Sequence, residues 1–202
     1  MEDFQTLEEF LTAPFGKQNI SDKSKFESMY TKLKSSIKII GYMTTEDKYF
    51  IHISIPSETN SSKAYDVIIM FFTANPAVKK QLSLRNYFVS FFSNSPSFIF
   101  QYASLYKQYG CLIDVLFDKL DKDYSEVTPK NPKDLSYDKS IYCACRYLLD
   151  DKLISLSKMG ILTKHKKSPD NFFKDIKSFS DIKITNDLSN FETLAGKPVD
   201  LY

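Results

Sequence analysis

The chain has 202 residues with 43% hydrophobic and 26% charged content, a balance that can build a core and that excludes an intrinsically disordered composition. A net charge of +2, carried almost wholly by lysine with arginine only at Arg85 and Arg146, gives no strong electrostatic pull on a polyanion and little of the guanidinium chemistry that reads nucleic acid. With 17 Phe and 13 Tyr but no Trp, the filling of that core is aromatic.

The first residues, MEDFQTLEEF, are acidic and lack the apolar run of a secretory signal, and no apolar stretch reaches the ~20 residues of a membrane span. Three cysteines fit reduced thiols better than a disulfide framework, so the expectation is a soluble chain made in a cytoplasm. Lys- and Asn-rich usage with scarce Arg and Gly also matches an AT-rich coding sequence.

Thr6-Leu7-Glu8-Glu9 has capping-box spacing and predicts a short helix to about Thr12, stopped before Pro14. Ser21-Asp22 opens a second helix with Phe26, Tyr30 and Leu33 on one face. The period then changes to two. Ile37 to Met43 and Tyr49 to Ile55, joined by the polar turn from Thr44 to Lys48, predict a hairpin in which Tyr49, Ile51, Ile53 and Ile55 oppose Phe50, His52 and Ser54. Tyr65 to Phe72 is a continuous apolar run suited to a central strand, and Tyr87 to Phe92 makes a fourth strand. At Ser93-Asn94-Ser95-Pro96 a helix begins, with Ser95 as cap and Pro96 at its first position. Phe98, Tyr102, Leu105, Tyr106 and Tyr109 form one stripe ended by Gly110. Cys111 to Leu120 is predicted as a further helix and Lys119 to Lys133 as a loop. Ser136 to Lys158 is predicted as the longest helix, with Ile141, Tyr142, Cys145, Leu148 and Leu149 inward and Gly160 beyond its end. The fold class expected is α+β: N-terminal helices, a four-stranded mostly antiparallel sheet, a C-terminal helical layer and an extended tail. Residues 1–163 form the domain and 164–202 a C-terminal arm.

No motif supplies a chemistry. The glycines are isolated, so neither a dinucleotide-binding nor a phosphate-binding loop is present, and G-x-S-x-G and H-E-x-x-H are absent. His52 reads as a structural or surface side chain on the sheet, and His165, among Lys164, Lys166 and Lys167, as part of a solvated basic turn. Cys143 and Cys145 lie two apart on a helix and point in divergent directions, so they cannot share a metal and pack as core. Asp114, Asp118 and Asp121 align on one helical face interleaved with lysines, and Asp150-Asp151 is an exposed polar patch. Ser90, Ser93 and Ser95 have no His or carboxylate tied to them locally, so capping is their expected role. The reading is of a non-enzyme with no cofactor and no metal.

The runs YDVIIMFF, NYFVSFFSNSPSFIFQYASLYKQYG and YDKSIYCACRYLL, over roughly residues 65 to 149, resemble the small virion proteins encoded by Lys/Asn-rich tailed bacteriophages. The resemblance implies a capsid, neck or tail component without catalytic residues, located in the virion and contacting other structural proteins. An accessory nucleic-acid binder that stacks bases on exposed aromatics is the alternative. The tail carries the partner-binding expectation. Phe172, Phe173, Ile176, Phe179 and Phe191 are too sparse to make a core alone, so the arm either docks on a neighbouring protein or folds back over its own domain.

Overall fold

The computed structural model describes residues 4–16, 23–45, 47–60, 62–73, 83–117, 137–155 and 158–177. Four strands, β1 (Lys38–Thr44), β2 (Lys48–Pro56), β3 (Ala64–Phe72) and β4 (Phe88–Ser93), form an antiparallel meander in the order β1-β2-β3-β4. Helices α1 (Leu7–Thr12) and α2 (Lys23–Leu33) precede it, and α3 (Ala103–Gln108), α4 (Asp114–Phe117) and α5 (Lys139–Asp150) follow. Two short helices, α6 (Met159–Thr163) and α7 (Pro169–Lys174), complete the described chain. The α+β class and the antiparallel sheet are as the periodicity predicts.

Pairing register assigns the two faces. Ile51, Ile53, Val67, Ile69, Phe91 and Ser93 share one, and Phe50, His52, Ile68, Asp66, Ser90 and Phe92 share the other. Both faces are buried: Ile51, Ile53, Ile69, Phe91, Phe50, Ile68 and Phe92 are fully enclosed. The first face is roofed by α1, α3 and α5 through a chain of rings. Phe10 lies 4.5 Å from Phe91, which lies 5.7 Å from Tyr106, which in turn lies 5.2 Å from Phe98 (centroid distances). Tyr137 joins Phe10 at 5.5 Å and Tyr142 at 5.0 Å, and its hydroxyl donates to the C-terminal carbonyls of α1. Phe91, Phe92, Phe98 and Tyr106 of residues 90–110 are thus core.

Caps follow their sequence signals. Thr6 and Glu9 form the reciprocal box at α1. Ser95 Oγ accepts from the Phe98 N–H at 3.1 Å, and Gly110, at φ 66°, closes α3 as the Cys111 N–H bonds Tyr106 O at 2.9 Å. Two local departures have physical causes. A π-helical turn, Phe98–Tyr102, leads into α3. It rotates the stripe, so Phe98, Leu105 and Tyr106 are buried while Tyr102 and Tyr109 are only half-buried. The helix expected to run to Lys158 stops at Asp150, because Lys152 adopts φ 55° and the Leu153 N–H turns back to Leu148 O at 2.9 Å. Gly160, expected beyond that helix, instead lies inside α6.

Both outer strands are covered. On β4, Val89 N–H bonds Gln5 O at 3.0 Å, and the Phe91 backbone exchanges bonds with Cys111 O and Ile113 N–H at 2.8 and 2.9 Å. Cys111–Ile113 is therefore a short parallel bridge where a helix was expected, and helix begins only at Asp114. On β1, Tyr42 N–H bonds His165 O and Lys167 N–H bonds Tyr42 O, both at 2.8 Å. Covering an edge removes the unpaired backbone groups that would otherwise template another strand.

The segment expected to leave the domain at residue 164 stays on it. After the pairing with Tyr42, α7 lays Phe172 across the second face of the sheet, 5.9 Å from His52 and 6.3 Å from Phe50. Gly41 admits it: a Cβ there would stand 3.1 Å from the Phe172 ring. Phe172, Phe173 and Ile176 are fully buried. As far as Lys177 the chain is a strap over its own sheet rather than an extended arm, because three large apolar side chains gain more from this covered face than from water.

Candidate functional site

Two buried polar centres flank the end of β4, and the sequence Ser93-Asn94-Ser95 feeds both. Alternation sends Ser93 to the helical side and Asn94 to the strap side.

On the strap side Asp66 is the hub. His52 Nε2 lies 2.9 Å from Asp66 Oδ1, and Asn94 Nδ2 donates to Oδ2 at 3.0 Å. The backbone N–H of Lys177 also donates to Oδ2 at 3.0 Å. Asn94 Oδ1 in turn accepts from the Asp66 N–H at 2.8 Å. His52 and Asp66 are 0% and 3% exposed. A carboxylate so enclosed persists because its lone pairs are filled, and each donor fastens a different part of the fold: β2, the β4 end and the strap. The bond fixes the imidazole with Nε2 toward the acid. Its Nδ1 is enclosed with no hydrogen-bond partner. A His–Asp pair resembles a base and its orienting acid, but a catalytic pair needs a reacting group at the free nitrogen, and this imidazole is fully enclosed with the ring of Phe172 packed against it.

On the helical side Asp138 caps α5. Its Oδ1 accepts from the N–H groups of Ser140 at 2.9 Å and Ile141 at 3.2 Å, and from the Ser140 hydroxyl. Its Oδ2 accepts from Ser95 Oγ at 3.4 Å. Ser140 Oγ meets Ser93 Oγ at 2.9 Å, and Ser93 Oγ accepts from the Ser95 N–H at 3.1 Å. One buried carboxylate thus sits where two helices begin, a place that favours negative charge. Burial pushes its pKa above the usual carboxylate value, while the Ser140 hydroxyl and the N–H groups of Ile141 and Ser140 pull the other way. Ser95 therefore does meet a carboxylate, brought from 43 residues downstream in sequence, and Ser93 reaches it through the Ser140 hydroxyl, but in a capping arrangement.

The thiols are enclosed. Burial raises the pKa of Cys111 and Cys145, and that of Cys143 to about 12, so none is a ready thiolate. Among the described residues no group of three or more His, Cys, Asp or Glu converges as a metal site, and no helix is long and apolar enough to cross a membrane. Asp114 lies 3.6 Å from Lys107 Nζ. Asp118 and Asp121 fall outside the described residues, as do Phe179 and Phe191 of the expected partner-binding set. Phe172, Phe173 and Ile176 of that set face inward and cannot serve as exposed anchors while the strap is seated.

Two surface clefts lie among the described residues. The smaller, about 270 Å³, lies between α1, α2 and α5 and is internally charge-paired: Arg146 Nε is 3.3 Å from Glu27 and Nη1 is 3.2 Å from Asp150, and the Tyr142 hydroxyl donates to Glu27. The larger, about 570 Å³, runs along the β1 edge on the α5 side. Ile37, Ile39, Tyr147 and Leu153 form its apolar part, Ile161 stands 40% exposed beside it, and Lys38, Lys158, His165 and Asp151 complete the lining. Ile161 is the exposed large hydrophobic side chain among the described residues.

No family model matches the chain, and no curated protein or solved structure matches it at a significant level.

Proposed function

We propose that this protein is a non-enzymatic structural or assembly protein, a component of a tailed-phage particle that acts through contacts with other structural proteins and is made in the host cytoplasm. The observation that carries the reading is the division of labour among its side chains. The groups with catalytic character, His52, Asp66, Asp138, Ser93 and the cysteines, are enclosed and engaged in fastening or packing the fold. What the described surface offers instead is a half-apolar groove with a charged rim, the anatomy of a protein contact. The stacking alternative gains no support from the sheet, whose aromatic faces are covered on both sides.

Quantitative mass spectrometry of purified particles from the phage encoding this chain tests the proposal. Fixed stoichiometry with known capsid or tail proteins is expected. Abundant expression in infected cells with exclusion from the particles would overturn it.

A further inference from the structure

Resting on that assembly reading, we infer that the groove of Ile37, Ile39, Tyr147, Leu153 and Ile161 receives the C-terminal segment, residues 178–202, of a neighbouring copy of this chain. Three observations lead there.

The first is the groove's chemistry. Its lining is half apolar, with Ile39, Tyr147 and the exposed Ile161 over the buried Ile37 and Leu153, while Lys38 and Lys158 at the rim outweigh Asp151. A segment that is apolar and mildly acidic fits such a surface, because apolar burial supplies the affinity and the opposite charges set orientation.

The second is the composition of residues 178–202. Phe179, Ile182, Ile184, Leu188, Phe191 and Leu194 recur along it, and Asp181, Asp187, Glu192 and Asp200 outnumber Lys183 and Lys197. This is the complementary chemistry, within the same chain and hence always at equal copy number.

The third is where that segment departs. Lys177 is held by its N–H on Asp66, on the sheet face that carries Phe172. The groove opens on the opposite side, beside α5, and the β1 edge between the two is occupied by His165 and Lys167 paired with Tyr42. Residue 177 is thus fixed on the face away from the groove, and a second copy carries the same segment. Reciprocal exchange of the segment closes a dimer, and one-way exchange builds rings or filaments.

Sedimentation velocity on the full-length protein across a wide concentration range is the test, with Ile161→Asp, Lys158→Glu and Phe191→Asp as variants; positions 158 and 161 are solvent-exposed. Self-association is expected, weakened by about tenfold or more in Ile161→Asp and in Phe191→Asp. The double variant should be little worse than either single one, since both remove one contact. Lys158→Glu should weaken association in a salt-dependent way. A chain that stays monomeric throughout, or associates equally well with Asp at 161, overturns the inference. A disulfide between Cys introduced at 161 and at 191 separates the remaining case: a cross-linked dimer supports exchange between copies, and an internally linked monomer overturns it. Mass spectrometry of particles reads the assembly function independently, so either conclusion can fail alone.

Discussion

Truncating Phe172 to alanine is the most direct challenge to the strap. The side chain is fully enclosed, between the surface of β1 and β2 and the adjoining Phe173 ring at 5.3 Å. A phenylalanine buries roughly 150–250 Å², which at ~25 cal/mol per Å² corresponds to about 4–6 kcal/mol as an upper bound. Measured truncations of buried Phe cost ~3–5 kcal/mol, and Gly41 cannot fill the vacancy because it has no side chain to move. The expected loss is therefore about 4 kcal/mol. For a chain of this size each kcal/mol moves the melting temperature by roughly 2–4 °C, so a fall of about 10 °C is expected, with a matching shift of the urea midpoint at unchanged slope. Phe172→Leu, which keeps most of the volume, should lose under about 1.5 kcal/mol. If Phe172→Ala unfolds like the parent chain, residues 164–177 are not packed on the sheet, and the strap is wrong along with the argument for which side residue 178 leaves from.

Asp66→Ala removes the acceptor of three donors at once and should cost about 3–5 kcal/mol in urea unfolding, since buried polar partners are left unpaired; a loss below about 1 kcal/mol would mean that water reaches the centre. Lys152→Gly relieves a lysine held at φ 55° and should raise stability by about 0.5–1 kcal/mol, with destabilisation counting against the helix end described here. At alkaline pH stability should fall. Burial pushes Tyr42 from 10.0 and Cys143 from 9.0 up to about 12, so the unfolded chain releases these protons first and binds fewer of them between about pH 9 and 12. Their contribution is complete below about pH 9 and is lost as pH rises towards 12; a flat urea midpoint across that window would show that these groups titrate normally in the folded state.

The strands and most caps were legible because they rest on local physics: alternation over Tyr49 to Ile55, the reciprocal Thr6–Glu9 box, Ser95 before Pro96, Gly110 at positive φ. What was illegible depends on tertiary competition. Lys152 occupies a left-handed position usually reserved for glycine, so the end of α5 was misplaced towards Gly160. Cys111–Ile113 has no strand pattern and is fixed by the vacant half of the β4 edge. The strap carries a sequence signal of its own: Ser168-Pro169 repeats the Ser95-Pro96 arrangement, and Pro169 does open a helix. Asp66, a lone acid in the apolar run YDVIIMFF, likewise announced a buried charge in need of partners. His52 lies diagonal to it, but pairing the two requires the β2–β3 register.

That register also explains why one short sequence can govern both sides of the molecule. Ser93 and Asn94 are adjacent, so their side chains must diverge, and the sheet separates two polar centres that would compete if they met. On one side Asp138 ties the start of α5 to the turn that launches the π-helical segment. On the other Asp66 ties β2 and the strap to the same turn. An apolar residue at 94 would leave Asp66 without its Asn94 donor and free one side of the strap anchor, yet it would leave every Asp138 bond in place. Strap seating and helix packing are therefore separable in this fold. Asn94→Leu, which removes the Asn94 donor to Asp66 and the acceptor of the Asp66 N–H but spares the Asp138 bonds, tests that separation: strap seating should loosen while the packing of α5 is kept.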